Sequence, residues 1–149
     1  MSFEANEFGR SVAAPGLVFP DQPYSTESRC MADSKLTEGG FPVFAKKGED
    51  VKAYAEKPVS DGYFLGVAQR IITRDEYPAG TPVTVVTTGQ IWVTAGADVQ
   101  SGESVGIDAS GNFVPYDGES TGAASLTEVK GGTFKTSASN GQYVVVMLK

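Results

Sequence analysis

The sequence predicts a small all-β fold, a single-domain β-barrel or sandwich (jelly-roll-like) of short antiparallel strands with an extended N-terminal arm. Two observations carry this prediction. The 149 residues include 18 glycines and 8 prolines, well above the average usage of about 12% for the two together, so turns are frequent and strands short. Apolar and polar residues also alternate between Val83 and Ala95, with the period of two that is typical of a half-buried strand.

The arm is predicted to span residues 1–38. Pro15, Pro20 and Pro23 each fix their own φ and move the preceding residue away from the helical region, so the segment is extended. A disordered tail is the alternative, but disordered tails rarely hold so many apolar side chains. We therefore expect the arm to cover a surface, either its own barrel or a neighbouring chain. Its large apolar residues are Phe3, Phe8, Leu17, Val18, Phe19 and Tyr24.

The folded domain is predicted to span residues 39–149. Two hairpin turns are indicated, one by Gly111 in the connection Ala-Ser-Gly and one by Asn140-Gly141. The last strand is apolar on both faces, so we expect it to be central or covered. A break is expected at Thr88-Gly89. The predicted strands are Gly40–Ala45, Val51–Glu56, Tyr63–Ile72, Pro82–Thr87, Gln90–Ala95, Ser104–Asp108, Asn112–Tyr116, Gly132–Thr136 and Gln142–Leu148.

Trp92 departs from the alternation of its own strand. The odd-numbered residues from Val83 to Ala95 form the apolar face, and Trp92 falls among the polar even-numbered residues. It either lies under a loop or a second layer, or it is exposed as a contact residue, since Trp is enriched at binding hot spots.

The sequence predicts no catalytic constellation, and hence no enzyme, no metal site and no cofactor. Histidine is absent, which removes the commonest general base and a usual zinc ligand. The adjacent acids Glu49-Asp50 and Asp75-Glu76 fall in turn-like segments, where solvated charges are expected. Cys30 is the single cysteine, so no internal disulfide forms, as suits a reducing compartment.

Charge and hydropathy argue against nucleic acid or a membrane as a direct partner. The net charge is −6 and the basic residues are scattered, whereas nucleic-acid binding favours a basic groove. No window approaches the ~18 apolar residues of a membrane span. The first residues contain no apolar run of the kind found in secretory signals.

The order of several strand phrases resembles that of the capsid cement (decoration) proteins of tailed bacteriophages. The phrases are GFPV from Gly40, FLGVA from Phe64, the GQIWV-to-GESV unit from Gly89 to Val105, and the ending GGTF with GxYVV. The resemblance covers roughly residues 39–149. It implies a small β-barrel or jelly-roll-like domain on the outer capsid surface of a virion, synthesised in the bacterial host cytoplasm.

The resemblance also implies partners. It implies a dimer or trimer of this chain that bridges neighbouring copies of the major capsid protein, and it brings no catalytic residues. The candidate residues for the capsid or subunit interface are Phe8, Leu17, Val18, Phe19, Tyr24 and Trp92.

Two other functions are open on the residues alone. The first is a β-sandwich carbohydrate-binding or host-adhesion module on the virion, such as the base of a head fibre. In that module Tyr63, Tyr77, Trp92 and Tyr116 would be stacking platforms. The second is a glycosidase that uses carboxylates alone, which needs two acids about 5–10 Å apart across a cleft; the sequence shows no such pair.

Overall fold

The fold is taken from a computed structural model that describes residues 4–5, 11–18, 22–33, 39–55, 62–70, 77–116 and 126–149. The regular elements in these ranges are all β-strands, which confirms the predicted all-β fold. Within the same ranges, no helix has the length and apolar character needed to cross a bilayer. In chain order the strands are β1 (Glu4–Ala5), β2 (Ser11–Ala13), β3 (Ser25–Met31), β4 (Pro42–Lys46), β5 (Lys52–Ala55), β6 (Gly62–Ala68), β7 (Pro82–Thr94), β8 (Ser104–Ile107), β9 (Phe113–Pro115), β10 (Thr127–Phe134) and β11 (Tyr143–Leu148).

A closed barrel is formed by β3, β5, β4, β6 and β7, in that order. An antiparallel ladder from Ser25–Thr88 to Cys30–Pro82 joins β3 to β7 and closes the ring. One pair departs from the predicted antiparallel arrangement, because β3 and β5 run parallel. A parallel pair needs a crossover of roughly a dozen residues or more, and the connection from Met31 to Lys52, which contains β4, is long enough.

A second group of strands continues the sheet from β7 through β11, β10 and β8 to β9. The first part of β7 pairs with β3 and β6, whereas Gly89–Thr94 pairs with β11. A parallel bridge between Ala95 and Phe113 brings β9 back to the end of β7. The barrel and this second sheet therefore share β7.

The predicted break at Thr88-Gly89 is wrong, because β7 is one strand of 13 residues that runs through this position. Gly89 bends the strand instead of ending it. Its φ is 120°, and a Cβ at this position would lie 2.5 Å from the Cβ of Tyr24. Ladders with β3 before the bend and with β11 after it keep the chain extended on both sides.

The predicted pattern of β11 is confirmed, and that of β7 holds on both sides of Gly89 but not next to it, where Thr87, Thr88 and Gln90 are all half-buried. In β7, the odd-numbered Val83, Val85, Ile91 and Val93 are buried, and Thr84 and Thr94 are exposed. The last strand, β11, lies between β7 and β10, and its residues 144–146 are fully buried although they alternate between faces. Both predicted hairpin turns also form, between β8 and β9 and between β10 and β11.

The described buried side chains form two apolar clusters. The smaller is built mainly by strands of the barrel, with Val43 and Val83, and also includes Tyr77, which precedes β7. The larger lies between the barrel and the second sheet. Phe44 belongs to the larger cluster although it comes from the barrel strand β4, and its ring meets that of Phe64 edge to face at 5.9 Å between centroids. Phe44 therefore joins the two halves of the molecule.

β3 lies in the range that the sequence assigned to the arm. Four consecutive residues, Ser25–Ser28, are exposed, so the strand is held by backbone ladders more than by buried side chains. That is why its sequence carries no apolar period. The division of the chain between residues 38 and 39 stays a prediction, while the hydrogen bonding places Ser25–Met31 in the barrel.

The position of Phe44 predicts that Phe44→Ala destabilises the fold by about 3–5 kcal/mol, because the deletion of a buried ring leaves a cavity between the two halves. Chemical denaturation measures this. Val51→Ala is the control, since Val51 is 60% exposed and its truncation should leave the unfolding free energy nearly unchanged. Equal effects of the two substitutions would contradict the assigned packing.

Tyr77 predicts a loss of stability at alkaline pH. Its ring packs edge to face on Phe41, its hydroxyl donates to the carbonyl of Gln69, and burial raises its pKa to about 12. The ordinary pKa of tyrosine is about 10. The folded state holds the hydroxyl proton of Tyr77 more tightly than the unfolded state does. The stabilisation that the protonated Tyr77 gives the fold is therefore complete below about pH 10 and is lost as pH rises towards 12.

Denaturant unfolding of the native chain and of Tyr77→Phe at a series of alkaline pH values tests this account. We expect the difference in unfolding free energy between the two to shrink as pH rises from 10 to 12. A difference that stays constant over this range would show that Tyr77 does not titrate with the fold.

Candidate functional site

Four of the six predicted contact residues lie along the second half of β7. Val18 forms an antiparallel bridge with Ile91, and the carbonyl of Leu17 accepts a hydrogen bond of 2.9 Å from the amide of Trp92. Tyr24 lies against Gly89, as the close approach of its Cβ shows. The other two predicted residues, Phe8 and Phe19, lie outside the described residues.

Leu17 and Val18 belong to a short segment, Ala14–Val18, that we call the strap. Its Gly16 amide donates to the carbonyl of Trp92 at 2.8 Å, and its Gly16 carbonyl accepts from the amide of Arg70 at 2.8 Å. The Arg70 guanidinium also donates to the carbonyl of Pro15 at 3.1 Å. The strap is therefore bound both to the barrel and to β7. Of the two surfaces predicted for the arm, its own barrel is the one that the strap covers.

Gly16 sits where no other residue fits without strain. Its φ is 87°, and a Cβ would lie 2.7 Å from the amide nitrogen of Arg70 and 2.8 Å from that of Gly40. Both neighbours are backbone atoms, which cannot rotate away as a side chain does. The close packing of three backbone segments at Gly16 fixes where the strap crosses β7.

The aromatic side chains of this region differ in exposure. Tyr24 is 48% exposed, whereas Trp92 is half-buried and Val18 packs on the larger core cluster. Trp92 is opposite Val145 in the β7–β11 ladder, and Val145 is fully buried. Among the four candidate contact residues that the structure describes, Tyr24 is thus the most available to a partner. The role of Trp92 as a contact residue stays a prediction.

A polar network that the sequence did not predict lies on the barrel strand β3. Arg29, which is 8% exposed, pairs with Glu27 at 2.6 Å between Nε and Oε2. It also donates to the carbonyls of Glu49 and Lys52 at 3.1 and 3.3 Å. Burial favours a lower pKa for Arg29, but Glu27 and a hydrogen bond with Tyr63 outweigh it and raise the pKa. Arg29 stays charged and ties β3 to the loop before β5.

The acids considered for catalysis differ in their surroundings. Glu49 is not simply solvated as predicted, because its Oε2 accepts a hydrogen bond of 2.7 Å from the Tyr54 hydroxyl. This bond is the main reason that the pKa of Tyr54 is raised. Asp75 and Glu76 lie outside the described residues. In the part of the chain that the structure describes, no three metal-ligating side chains come together.

The set of stacking platforms predicted for a glycan site is wrong for Tyr77. This residue is 2% exposed and belongs to the smaller core cluster. Tyr116 is half-buried against Gly106, and Tyr63 is 40% exposed. The four rings therefore do not form one open platform. Tyr63 was predicted as a glycan-stacking residue and not as a protein contact, and the sequence around it carries no alternation from which its exposure could be predicted.

The packing of the strap predicts that Gly16→Ala lowers the unfolding free energy more than the same substitution at another glycine with a similar φ. Gly80 is the matched control, since its φ is 80° and a Cβ there would meet nothing within 4 Å. Both substitutions place alanine in a left-handed conformation, which costs about 1–2 kcal/mol. Gly16→Ala adds a clash worth about 1–3 kcal/mol more. Equal unfolding free energies for the two variants would contradict the close packing of the strap at Gly16.

The sequence model of the family described as structural cement protein (E217 gp24/Pam3 gp6) matches residues 5–149. No curated protein gives a significant match.

Two solved structures are similar in fold. A chain in the capsid of Myoviridae phage XM1 has a TM-score of 0.71 at 16% identity, over 91% of this chain and 89% of that chain. The N base of head fibre gp8.5 in bacteriophage phi29 has a TM-score of 0.54 at 17% identity, over 85% of this chain and 95% of that one. At these identities the two likenesses concern the fold alone. Because the family match covers nearly the whole chain, the protein belongs to the structural cement protein family.

Proposed function

We propose that this cement protein binds the outer surface of a tailed-phage head and bridges neighbouring major capsid protein subunits, together with further copies of itself as a dimer or trimer. The family supplies the structural role. The observation that carries the proposal for this chain is the gathering of Leu17, Val18, Tyr24 and Trp92 along the second half of β7. Residues far apart in sequence thereby form one surface.

The strap gives this surface a fixed shape. Its backbone is hydrogen-bonded to Trp92 on one side and to Arg70 on the other. These bonds fix the position of the strap on the barrel. A rigid support of this kind lowers the ordering cost of association, since fewer groups must be immobilised on binding. We expect Phe8, in the segment before the strap, to contact a neighbouring subunit.

A cement protein does not need a deep pocket. Modest contacts that are repeated over a symmetric lattice add up, because each further contact forms at a high effective concentration. The net charge of −6 fits a partner that is protein and disfavours direct contact with nucleic acid. Synthesis in the bacterial host cytoplasm accounts for the single Cys30.

The test is co-sedimentation of the purified chain with expanded, undecorated heads of the matched phage. We expect saturable binding in a fixed ratio to capsid subunits and a higher melting temperature of the heads. Tyr24→Ala should weaken binding about tenfold, as truncation of an aromatic hot spot costs about 1–2 kcal/mol or more. Deletion of residues 1–10 should also weaken it; this removes β1, the partner of β2, and should leave the barrel folded.

The controls follow from the structure. Deletion of residues 1–25 is less informative, because it removes the strap and the first residue of β3 as well. Val51→Ala, on another exposed hydrophobic residue, should bind as the native chain does. Absence of binding by the folded native chain would contradict the capsid proposal, and a screen of glycans would then test the adhesion alternative.

A further inference from the structure

β6 has one edge that the described sheet leaves open. β4 pairs with β6 from Gly62 to Val67, but on the other edge β7 pairs only with Val67 and Ala68. The reason is that β7 turns away after Val86 and continues with β11. Among the described residues, no ladder occupies the second edge of Tyr63–Leu65. Unpaired N–H and C=O groups along such an edge are a template for one more strand.

This edge borders a cleft of about 410 Å³ between the barrel and the second sheet. The half-buried side chains of Phe64 and Leu65 line it from β6, and Leu148 lines it from β11. β10 contributes Thr127–Lys130 on the facing side. An apolar cleft beside an open strand edge can take the alternate side chains of a strand that pairs with that edge.

The cleft continues into the surface proposed for capsid binding. Leu148 also lines an adjoining cleft that contains Tyr24 and Gly89. Tyr24 and Tyr63 are 48% and 40% exposed, and the other aromatic side chains in the described part of the chain are buried or half-buried. Aromatic side chains are enriched among the hot spots of protein interfaces. Tyr63 therefore extends the surface of Tyr24 and the strap across the bend of β7.

The charges beside the cleft favour an acidic partner. Of the described side chains that line the cleft, Lys130 and Lys149 are basic and exposed, and Glu128 is acidic. Lys149 lies over Gly131, within 3.4 Å of the position of a Cβ there, which holds its side chain beside β10. On a chain with a net charge of −6, this local excess of positive charge selects for a carboxylate.

We propose that an extended, acidic segment of a capsid subunit adds as a strand to the open edge of β6 at Tyr63–Leu65 and places apolar side chains in the adjoining cleft. Backbone hydrogen bonds to the edge supply affinity, and the cleft and its lysines supply specificity. This inference rests on the proposed function, since it names the part of the protein that holds the capsid subunit.

Hydrogen exchange of the full chain, free and bound to expanded undecorated heads, tests the proposal directly. We expect the amides within Tyr63–Leu65 that point away from β4 to exchange at least about tenfold more slowly in the bound state, because strand addition would protect them as a ladder does. Amides of the β8–β9 turn at Ala109–Gly111, which lies outside the cleft, serve as the internal control and should keep their exchange rates.

Two substitutions test the side chains. Lys130→Glu and Tyr63→Ala should each weaken head binding about tenfold. Lys130→Glu should keep the native thermal melting behaviour, whereas Tyr63→Ala also removes the hydrogen bond with Arg29, so its binding is compared at a temperature at which its melting curve shows it folded. The matched control is Lys135→Glu, which makes the same charge change just past the other end of β10 and should bind as the native chain does.

The outcomes separate this inference from the proposed function. Saturable head binding with unchanged exchange at Tyr63–Leu65 and native affinity of Lys130→Glu would overturn the strand-addition site and leave the cement role in place. Failure of the native chain to bind heads would overturn both. Protection of the same amides in the free protein that grows with its concentration would assign the cleft to a second copy of this chain and overturn its assignment to the capsid.

Discussion

The bent strand β7 is the constraint on which the rest of the structure depends. Its first half closes the barrel by pairing with β3 and β6, and its second half starts the other sheet by pairing with β11. Gly89 allows the bend, because its φ of 120° is one that glycine adopts readily and other residues rarely do, and Tyr24 leaves no room there for a side chain. The larger core cluster then forms between the two halves, with Phe44 and Val86 from the barrel side. A strand that ended at Gly89 would separate these halves.

The same bend creates the surfaces to which a function is assigned. On one edge of β7 it carries the strap and Tyr24, which lie beside Trp92 and Gly89. On the other edge the bend ends the pairing of β7 with β6, so that Tyr63–Leu65 border a cleft. A rigid core with open backbone at its margin suits a protein whose work is to be held by neighbours on a lattice, where many modest contacts act together.

Local features of the fold could be predicted from the sequence, and long-range ones could not. The alternation of β7 on both sides of Gly89 and the turn at Asn140-Gly141 are encoded within a few residues, and both are confirmed. The continuity of β7 was missed because Gly89 is a usual strand breaker, and only the ladders on both sides show that it bends instead. β3 was missed because its exposed residues 25–28 carry no apolar period and its partners lie far along the chain.

The candidate contact residues could be named from the sequence, but their grouping in space could not, and their contact with a partner stays a prediction. Leu17, Val18, Tyr24 and Trp92 were chosen because they are large and apolar, and the tertiary structure brings them to one strand. Tyr63 and the cleft beside it needed the strand order, since an open edge is defined by the neighbour that is missing from it. Tyr77 was misjudged as a stacking platform because burial of a single tyrosine depends on the closed barrel.

A cryo-electron microscopy reconstruction of expanded heads saturated with the protein tests the central claim most directly. The account predicts ordered density on the outer surface at lattice-related positions, in which each barrel contacts two or more capsid subunits through the strap, Tyr24 and the open edge of β6. Density that rests on a single capsid subunit, or that contacts the shell through the opposite side of the barrel, would contradict it.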